Sequence, residues 1–367
     1  MKNTWMKYMV GLLFWMGFSP VLLSQTDVQR GEYPESFWIK SLTDSLHLLL
    51  QDELFSTSQV GISVYDLTDD TLLFAHNARQ RMRPASTEKI LTAITALEEL
   101  GADYKFFTKL YIDGEIRGGA LHGDVYVKGG FDPTFGRTDL QGFVEALASI
   151  NIKSVKGALC ADVSMKDTLK WGMGWCWDDD ITSQMPYRER KKWHMNEVLH
   201  IMMKDSDNRL AESLFWQLST FGGGQFGDIK SVVSNIESVL QRAGIPKDSG
   251  YRIADGSGLS LYNYITPQML NALLVYAWWQ QDIRAHLVPS LPIGGVDGTL
   301  KKRFHGTSAY NNIFAKTGTV SGISSLSGYA NGGNGHIISF CIINQGVQRG
   351  SIGRNFQDQV CIALTEK

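Results

Sequence analysis

Cysteine is scarce: four residues in a chain of 367 do not make a disulfide scaffold. Cys341 lies in the buried-strand pattern Ile-Ile-Ser-Phe-Cys-Ile-Ile and Cys361 in an apolar helix pattern, so both read as small core hydrophobes. Cys160 and Cys176 could pair in an oxidising compartment, and the sequence does not fix that pairing. Net charge is also lacking. The 35 Lys and Arg against 37 Asp and Glu leave −2, with no basic run, which excludes the electrostatic footprint of a nucleic-acid binder. The expected partner is a small molecule or a peptide. The N-terminal apolar stretch, Tyr8 to Phe18, falls short of the ~20 residues that a spanning helix needs. It follows Lys2 and Lys7 and runs into Ser-Pro-Val-Leu-Leu-Ser, so residues 1–24 read as a signal peptide cut after Ser24, an uncleaved anchor being the alternative. No cysteine follows it to accept a lipid, and export is expected. A zinc helix is missing too: His194, Glu197 and His200 put their histidines six apart, where one helical face needs four. Gly222-Gly-Gly has no lysine motif behind it and reads as a loop.

What the sequence does have is Arg83-Pro-Ala-Ser-Thr-Glu-Lys89, running into Ile-Leu-Thr-Ala-Ile-Thr-Ala-Leu-Glu-Glu-Leu before Gly101. Apolar spacing and the glycine stop predict a helix starting near Ser86, after an extended entry at Pro84. Ser86 and Lys89 then share a face of the first turn, an amine within reach of a hydroxyl at a helix N-terminus. Alone, that tetrapeptide is also ordinary capping chemistry with a solvated lysine. Two further pieces follow in order. Ser206-Asp-Asn208 opens a second apolar helical segment, and Lys316-Thr-Gly-Thr319 ends a short strand. Ser-x-x-Lys, Ser-Asp-Asn and Lys-Thr-Gly together are the signature of penicillin-binding proteins and class A β-lactamases, and they predict acyl transfer through a serine.

The length predicts two domains. Trp38 to Glu53 has helical spacing, and Val60–Leu67 and Leu72–His76 form two strands joined by a Thr68-Asp-Asp-Thr turn. At the other end come the strand before Lys316, then Ser324–Ala330 and His336–Ile343 separated by Asn331-Gly-Gly-Asn-Gly, and a last helix from about Ile352 to Ala363. Two strands at the front and three at the back predict one antiparallel five-stranded sheet joining both chain ends, with helices on its faces. After Asp103 the pattern changes. Phe106–Ile112, Leu121–Lys128 and Ala158–Val163 alternate as strands around a Thr138–Ile150 helix. Residues 104–192 therefore read as a smaller inserted α+β domain splitting a catalytic domain of 25–103 and 193–367. The Trp171-Gly-Met-Gly-Trp-Cys-Trp-Asp-Asp-Asp run reads as local packing and a solvated loop, a substrate-facing surface being the alternative.

With these pieces in place, the chain resembles the low-molecular-mass, class C penicillin-binding proteins, the D-Ala-D-Ala carboxypeptidase/endopeptidase family. Gly130-Phe-Asp-Pro-Thr, Asp255-Gly-Ser-Gly-Leu-Ser and Gly295-Val-Asp-Gly-Thr-Leu extend the likeness over most of the mature chain, while the insertion looks trimmed relative to larger relatives. The resemblance implies an α+β penicillin-binding/transpeptidase-like fold, peptidoglycan stem peptides as substrate, β-lactams as covalent inhibitors, a periplasmic location, and neither cofactor nor metal. It leaves the oligomeric state open. It further implies that Ser86 attacks the carbonyl between two D-alanines and that Lys89 takes its proton, its pKa depressed by burial and a neighbouring ammonium, for which Lys316 is the obvious candidate. Ser206 relays the proton, and Asn208 holds the substrate amide and orients Lys89. Lys316 and Thr317, with Gly318, receive the terminal carboxylate. The N–H groups of Ser86 and Thr319 form the oxyanion hole. Asp132 could meet a substrate amine, though a turn-building role is the simpler reading. Two rivals remain. A β-lactamase lacks support, because neither the class A Glu-x-x-Leu-Asn nor a suitably placed class C Tyr-x-Asn occurs, Tyr310-Asn-Asn lying directly before Lys316. A silent peptidoglycan-binding protein is the other.

Overall fold

The structure, a computed structural model, describes residues 37–162, 194–220, 228–247 and 250–367. The leader, the 171–180 tryptophan–aspartate run, Cys176 and Gly222–Gly224 lie outside them; Cys160 carries a free thiol.

The chain begins with α1 (Phe37–Leu49) and the hairpin β1 (Gln59–Asp66) and β2 (Thr71–His76), then passes through a short turn into α2 (Glu88–Glu99). Next come β3 (Lys109–Arg117), β4 (Ala120–Lys128), α3 (Arg137–Ser149), β5 (Ser154–Val155) and β6 (Leu159–Asp162). A run of helices follows: α4 (Met195–Lys204), α5 (Asn208–Gln217), α6 (Ile229–Arg242), α7 (Pro267–Trp279) and α8 (Gln281–Ser290). The chain closes with β7 (Ile313–Val320), β8 (Ile323–Asn331), β9 (Ile337–Gln345) and α9 (Gly350–Thr365).

Five strands form one antiparallel sheet in the order β2-β1-β9-β8-β7, so the first hairpin joins the last three strands as expected. Strand periodicity divides its side chains between two cores. Ile338, Phe340 and Ile342 of β9 pack with Val60, Ile62 and Val64 of β1 among residues of α1 and α9. Cys341 and Ile343 face the other way, into the larger core built by α2 and α4 to α8. That double burial explains why β1 and β9 read as nearly continuous apolar runs rather than alternating ones. On the second face α7 lies close against β1. A Cβ on Gly61 would come within 2.6 Å of the Pro267 side chain, and Asn271 Nδ2 donates to Ser63 Oγ at 3.0 Å.

Helix α2 is buried on every side from Glu88 to Leu97. Its Ile, Leu and Ala positions, with Thr92 and Thr95 between, have no outward face, and a helix of that kind belongs in a core. The catalytic-type lysine is therefore carried inside the molecule.

Strands β3 to β6 join none of these five. They form a second sheet in which β4 pairs antiparallel with β3 and parallel with β5 and β6. Its own core is small, Leu121, Val125 and Ile152 flanked by Leu110 and Leu147. Lys105 and His194 make an isolated antiparallel bridge, so the chain leaves and re-enters the body side by side. Phe131 ties the two parts together by stacking on Trp216, with a centroid separation of 6.2 Å.

Candidate active site

Ser86 does not open the α-helix. It sits in a 3₁₀ turn, Ala85–Thr87, and α2 starts at Glu88. Ala85 is held at φ +49°, a left-handed conformation costly for a residue with a Cβ. Neighbours fix it there. The Pro84 carbonyl accepts from Thr87 Oγ1 at 2.7 Å and from Ser325 Oγ of β8 at 2.5 Å. The turn keeps Ser86 and Lys89 facing one another as the spacing predicts.

Lys89 Nζ lies 3.0 Å from Ser86 Oγ, 2.7 Å from Asn208 Oδ1 and 2.8 Å from the Ser257 carbonyl oxygen. Asn208 is the first residue of α5, whose N-terminus is capped by Asp207 accepting from Leu210 N at 3.0 Å. Ser206, before that cap, is at φ +62°. Its hydroxyl accepts from Lys316 Nζ of β7 at 2.9 Å, and the lysine also donates to the Thr317 carbonyl at 2.7 Å. Ser86, Lys89, Ser206, Asn208 and Lys316 thus converge from α2 and its entry turn, the start of α5, and β7.

Gly318 has a steric reason to be glycine. A Cβ there would stand 2.2 Å from Ser325 Oγ, 2.8 Å from the Pro84 carbonyl and 2.9 Å from Ser86 N. Strand β7 can lie against the serine turn only because that atom is missing. Thr317 Oγ1 donates to Thr299 Oγ1 at 2.8 Å, in the Gly295–Thr299 loop. Buried Lys204 anchors that loop through Asp297 Oδ2 at 2.6 Å and the Leu291 carbonyl at 2.6 Å.

Both lysines are fully buried. Burial lowers the Lys89 pKa from 10.5 to about 8, while the carboxyls of Glu212, Asp255, Asp207 and Glu88 pull it back up. Burial, then the charge of Lys89, pushes Lys316 well below its ordinary value. Burial, one of the two expected causes, is thus the main one for Lys89, and the two lysines' mutual repulsion is felt at Lys316. Behind Lys89, burial also raises Glu212 to about 7 and Glu88 well above the carboxylate range.

Asp132 is not part of this group. Its Oδ1 accepts from Thr134 N at 2.9 Å and Thr134 Oγ1 at 2.6 Å, building a turn. It also lines a cavity of about 510 Å³ with Phe106, Phe135, Phe143 and His194, none of them near Ser86 in the network above. Glu197 Oε2 accepts from His194 N at 2.9 Å, a helix-start bond rather than a metal arrangement. Among the described residues only Asp66, Asp69 and His336 bring three ligand-type atoms together, within 4.8 Å. There His336 Nδ1 pairs with Asp66 Oδ2 at 2.8 Å and pins the β8–β9 hairpin to the end of β1. The sequence reading passed over Ser257, Thr299 and Glu212. The first two lie in the Asp255-Gly-Ser-Gly and Gly295-Val-Asp-Gly-Thr segments, and Glu212 stands one helical turn after Asn208.

The profile of the D-Ala-D-Ala carboxypeptidase 3 (S13) family matches residues 42–190 and 187–367. D-alanyl-D-alanine carboxypeptidase DacB of Haemophilus influenzae is 22% identical over 83% of this chain and 88% of its own length. The D-alanyl-D-alanine carboxypeptidase of Actinomadura sp. is 23% identical over 96% of this chain and 88% of its own. Penicillin binding protein 4 (dacB) from H. influenzae superposes with a TM-score of 0.72 at 22% identity, covering 89% of this chain and 98% of that one, and it has also been solved with a β-lactam bound. With the profile matching residues 42–190 and 187–367, nearly all of the sequence, this chain belongs to the D-Ala-D-Ala carboxypeptidase 3 (S13) family.

Proposed function

We propose that this chain, a serine-type D-Ala-D-Ala carboxypeptidase, works through an acyl-enzyme on Ser86 with Lys89 as the base. One observation carries the reading. Two of the three polar atoms around Lys89 Nζ, Asn208 Oδ1 and the Ser257 carbonyl oxygen, can only accept hydrogen bonds. A neutral amine spends its two hydrogens on them, which turns its lone pair toward Ser86 Oγ at 3.0 Å. The depressed pKa makes that neutral form accessible.

Acylation then balances simply. Ser86 Oγ bonds to the carbonyl carbon between the two D-alanines, and the carbon–nitrogen bond breaks. The hydroxyl proton passes to Lys89 Nζ and, by way of Ser206, to the departing amine. The backbone N–H groups of Ser86 and Thr319 receive the oxyanion, and the tight passage of Gly318 past Ser86 N supports that pairing. Lys316, Thr317 and Gly318 receive the terminal carboxylate. Water attacks the ester in the second half, and Ser86 regains its proton. Asp132, beside its aromatic cavity, is proposed to meet an amine of the stem peptide away from the scissile bond. β-Lactams present a strained amide and a carboxylate to the same groups and acylate the same serine. From the leader we infer export to the periplasm, where peptidoglycan is the substrate.

The test compares two substrates on one protein. Repeated release of D-alanine from an acyl-D-Ala-D-Ala peptide is expected, with penicillin held for many minutes, because an opened β-lactam stays tethered in the path of water. Rapid multiple-turnover penicillin hydrolysis without D-alanine release would instead identify a β-lactamase. No reaction with either substrate would support the silent binding protein.

A further inference from the structure

The Ser257 carbonyl that takes one Lys89 hydrogen belongs to a loop with no free backbone group from Gly256 N to Gly258 N. Thr92 Oγ1 donates to the Gly256 carbonyl at 2.7 Å, Ser257 N to Glu212 Oε1 at 2.9 Å, and Gly256 N more weakly to Glu212 Oε2 at 3.5 Å. Gly258 N donates to Asp255 Oδ1 at 2.8 Å. Glu212 therefore holds the two peptide planes that lead into Ser257, and Asp255 holds the next one, which carries the acceptor for Lys89. Glu212 is also one helical turn from Asn208 on α5, so a single helix face supplies one lysine acceptor directly and steers the other through the loop.

We propose that Glu212 is a positioning residue for Lys89: by holding the N–H of Ser257, with Asp255 holding the next peptide, it sets the Ser257 carbonyl where it must be for the amine's lone pair to point at Ser86 Oγ. This rests on the reading of Lys89 as the acylation base. Glu212 touches neither substrate nor the reacting atoms. The titratable groups facing it are Lys89 and Glu88 of α2 and Asp255 of the loop. Both carboxylate oxygens of Glu88 lack a hydrogen-bond partner among the described residues, and burial raises its proton affinity well above that of an ordinary carboxylate. Burial and Asp255 push Glu212 up to about 7, just below Lys89 at about 8, and once ionised Glu212 raises the proton affinity of the lysine. It thus aims the base while restraining it.

The experiment measures the rate constant of penicillin acylation against pH in the full-length wild type, Glu212→Gln and Glu212→Ala. In wild type the rate climbs as Lys89 loses its proton. Glu212→Gln keeps an acceptor for Ser257 N but removes the charge, so its plateau should stay within about threefold while the acid limb moves down by about half a pH unit or more. Glu212→Ala releases the loop and should lower the plateau at least about tenfold, with non-covalent capture of the drug unchanged. A Glu212→Gln profile superimposing on wild type, or Glu212→Ala acylating at the wild-type plateau, would overturn the proposal. Should Glu212→Ala fail to fold, Glu212→Met, which keeps the side-chain volume without the acceptor, takes its place, and a wild-type plateau there overturns the proposal in the same way. Failure of the underlying reading looks different: the wild-type profile itself would then show no limb attributable to Lys89.

Discussion

Lys89 Nζ has three polar neighbours, and an ammonium would satisfy all of them with its three hydrogens. The proposed role as base needs the less satisfied neutral form, and burial favours it. With a pKa of about 8, about a tenth of the molecules carry a neutral Lys89 at pH 7, against far fewer for an ordinary lysine. The cost falls on stability. Between about 8 and 10.5 the unfolded chain binds this proton and the folded chain does not, so the contribution of Lys89 to stability rises with pH across that window. Below it, the buried charge penalises the folded state in full. Replacing Lys89 by Arg keeps a cation and removes any neutral form. Acylation by penicillin should fall by two orders of magnitude or more and lose its dependence on pH near 8. A Lys89→Arg variant acylating at close to the wild-type rate would return Lys89 to the role of a structural charge.

At the scale of elements, the site depends on a close approach between β7 and the Ser86 turn. Gly318→Ala puts a Cβ into a space already occupied by Ser325 Oγ, the Pro84 carbonyl and Ser86 N. The strand must move off the turn, and displacement of an oxyanion donor is worth roughly a hundredfold or more in rate. The expected outcome is a folded protein with near-native circular dichroism whose acylation rate has dropped by about that factor. Wild-type acylation by Gly318→Ala would mean that the β7–turn contact does not matter to the chemistry. Much of this was legible beforehand. The five strands, α2, and the residues Ser86, Lys89, Ser206, Asn208 and Lys316 follow from periodicity and three short motifs. The 3₁₀ turn at Ala85–Thr87 was not, because a left-handed alanine is enforced by Ser325 and Gly258, residues distant in sequence. Nor was the part played by Ser257, whose contribution is a backbone carbonyl and therefore leaves no side-chain signature. Glu212 in a helical pattern looks like a solvated charge, and its bond to Ser257 N of the 255–258 loop joins residues 45 apart in sequence.

At the scale of the molecule, the sheet joins the two ends of the chain and the site forms along that junction. β1 enters between β2 and β9, and β9 and β8 carry the register across to β7, where Lys316 pairs with Ser327, Ser327 with Cys341, and Cys341 with Ser63. The serine turn therefore meets Lys316 only in the completed fold. Strands β3 to β6 and α3 lie in sequence between the two residues of the Lys105–His194 bridge and contribute none of the five convergent side chains. The central claim is that Ser86 alone becomes the acyl-enzyme. Native protein treated with a fluorescent penicillin, digested and mapped by mass spectrometry, tests it most directly. One adduct per chain on the peptide carrying Ser86, absent from Ser86→Ala, is the expected result. Labelling of Ser86→Ala at the wild-type rate, or an adduct on Ser206 in place of Ser86, would contradict it.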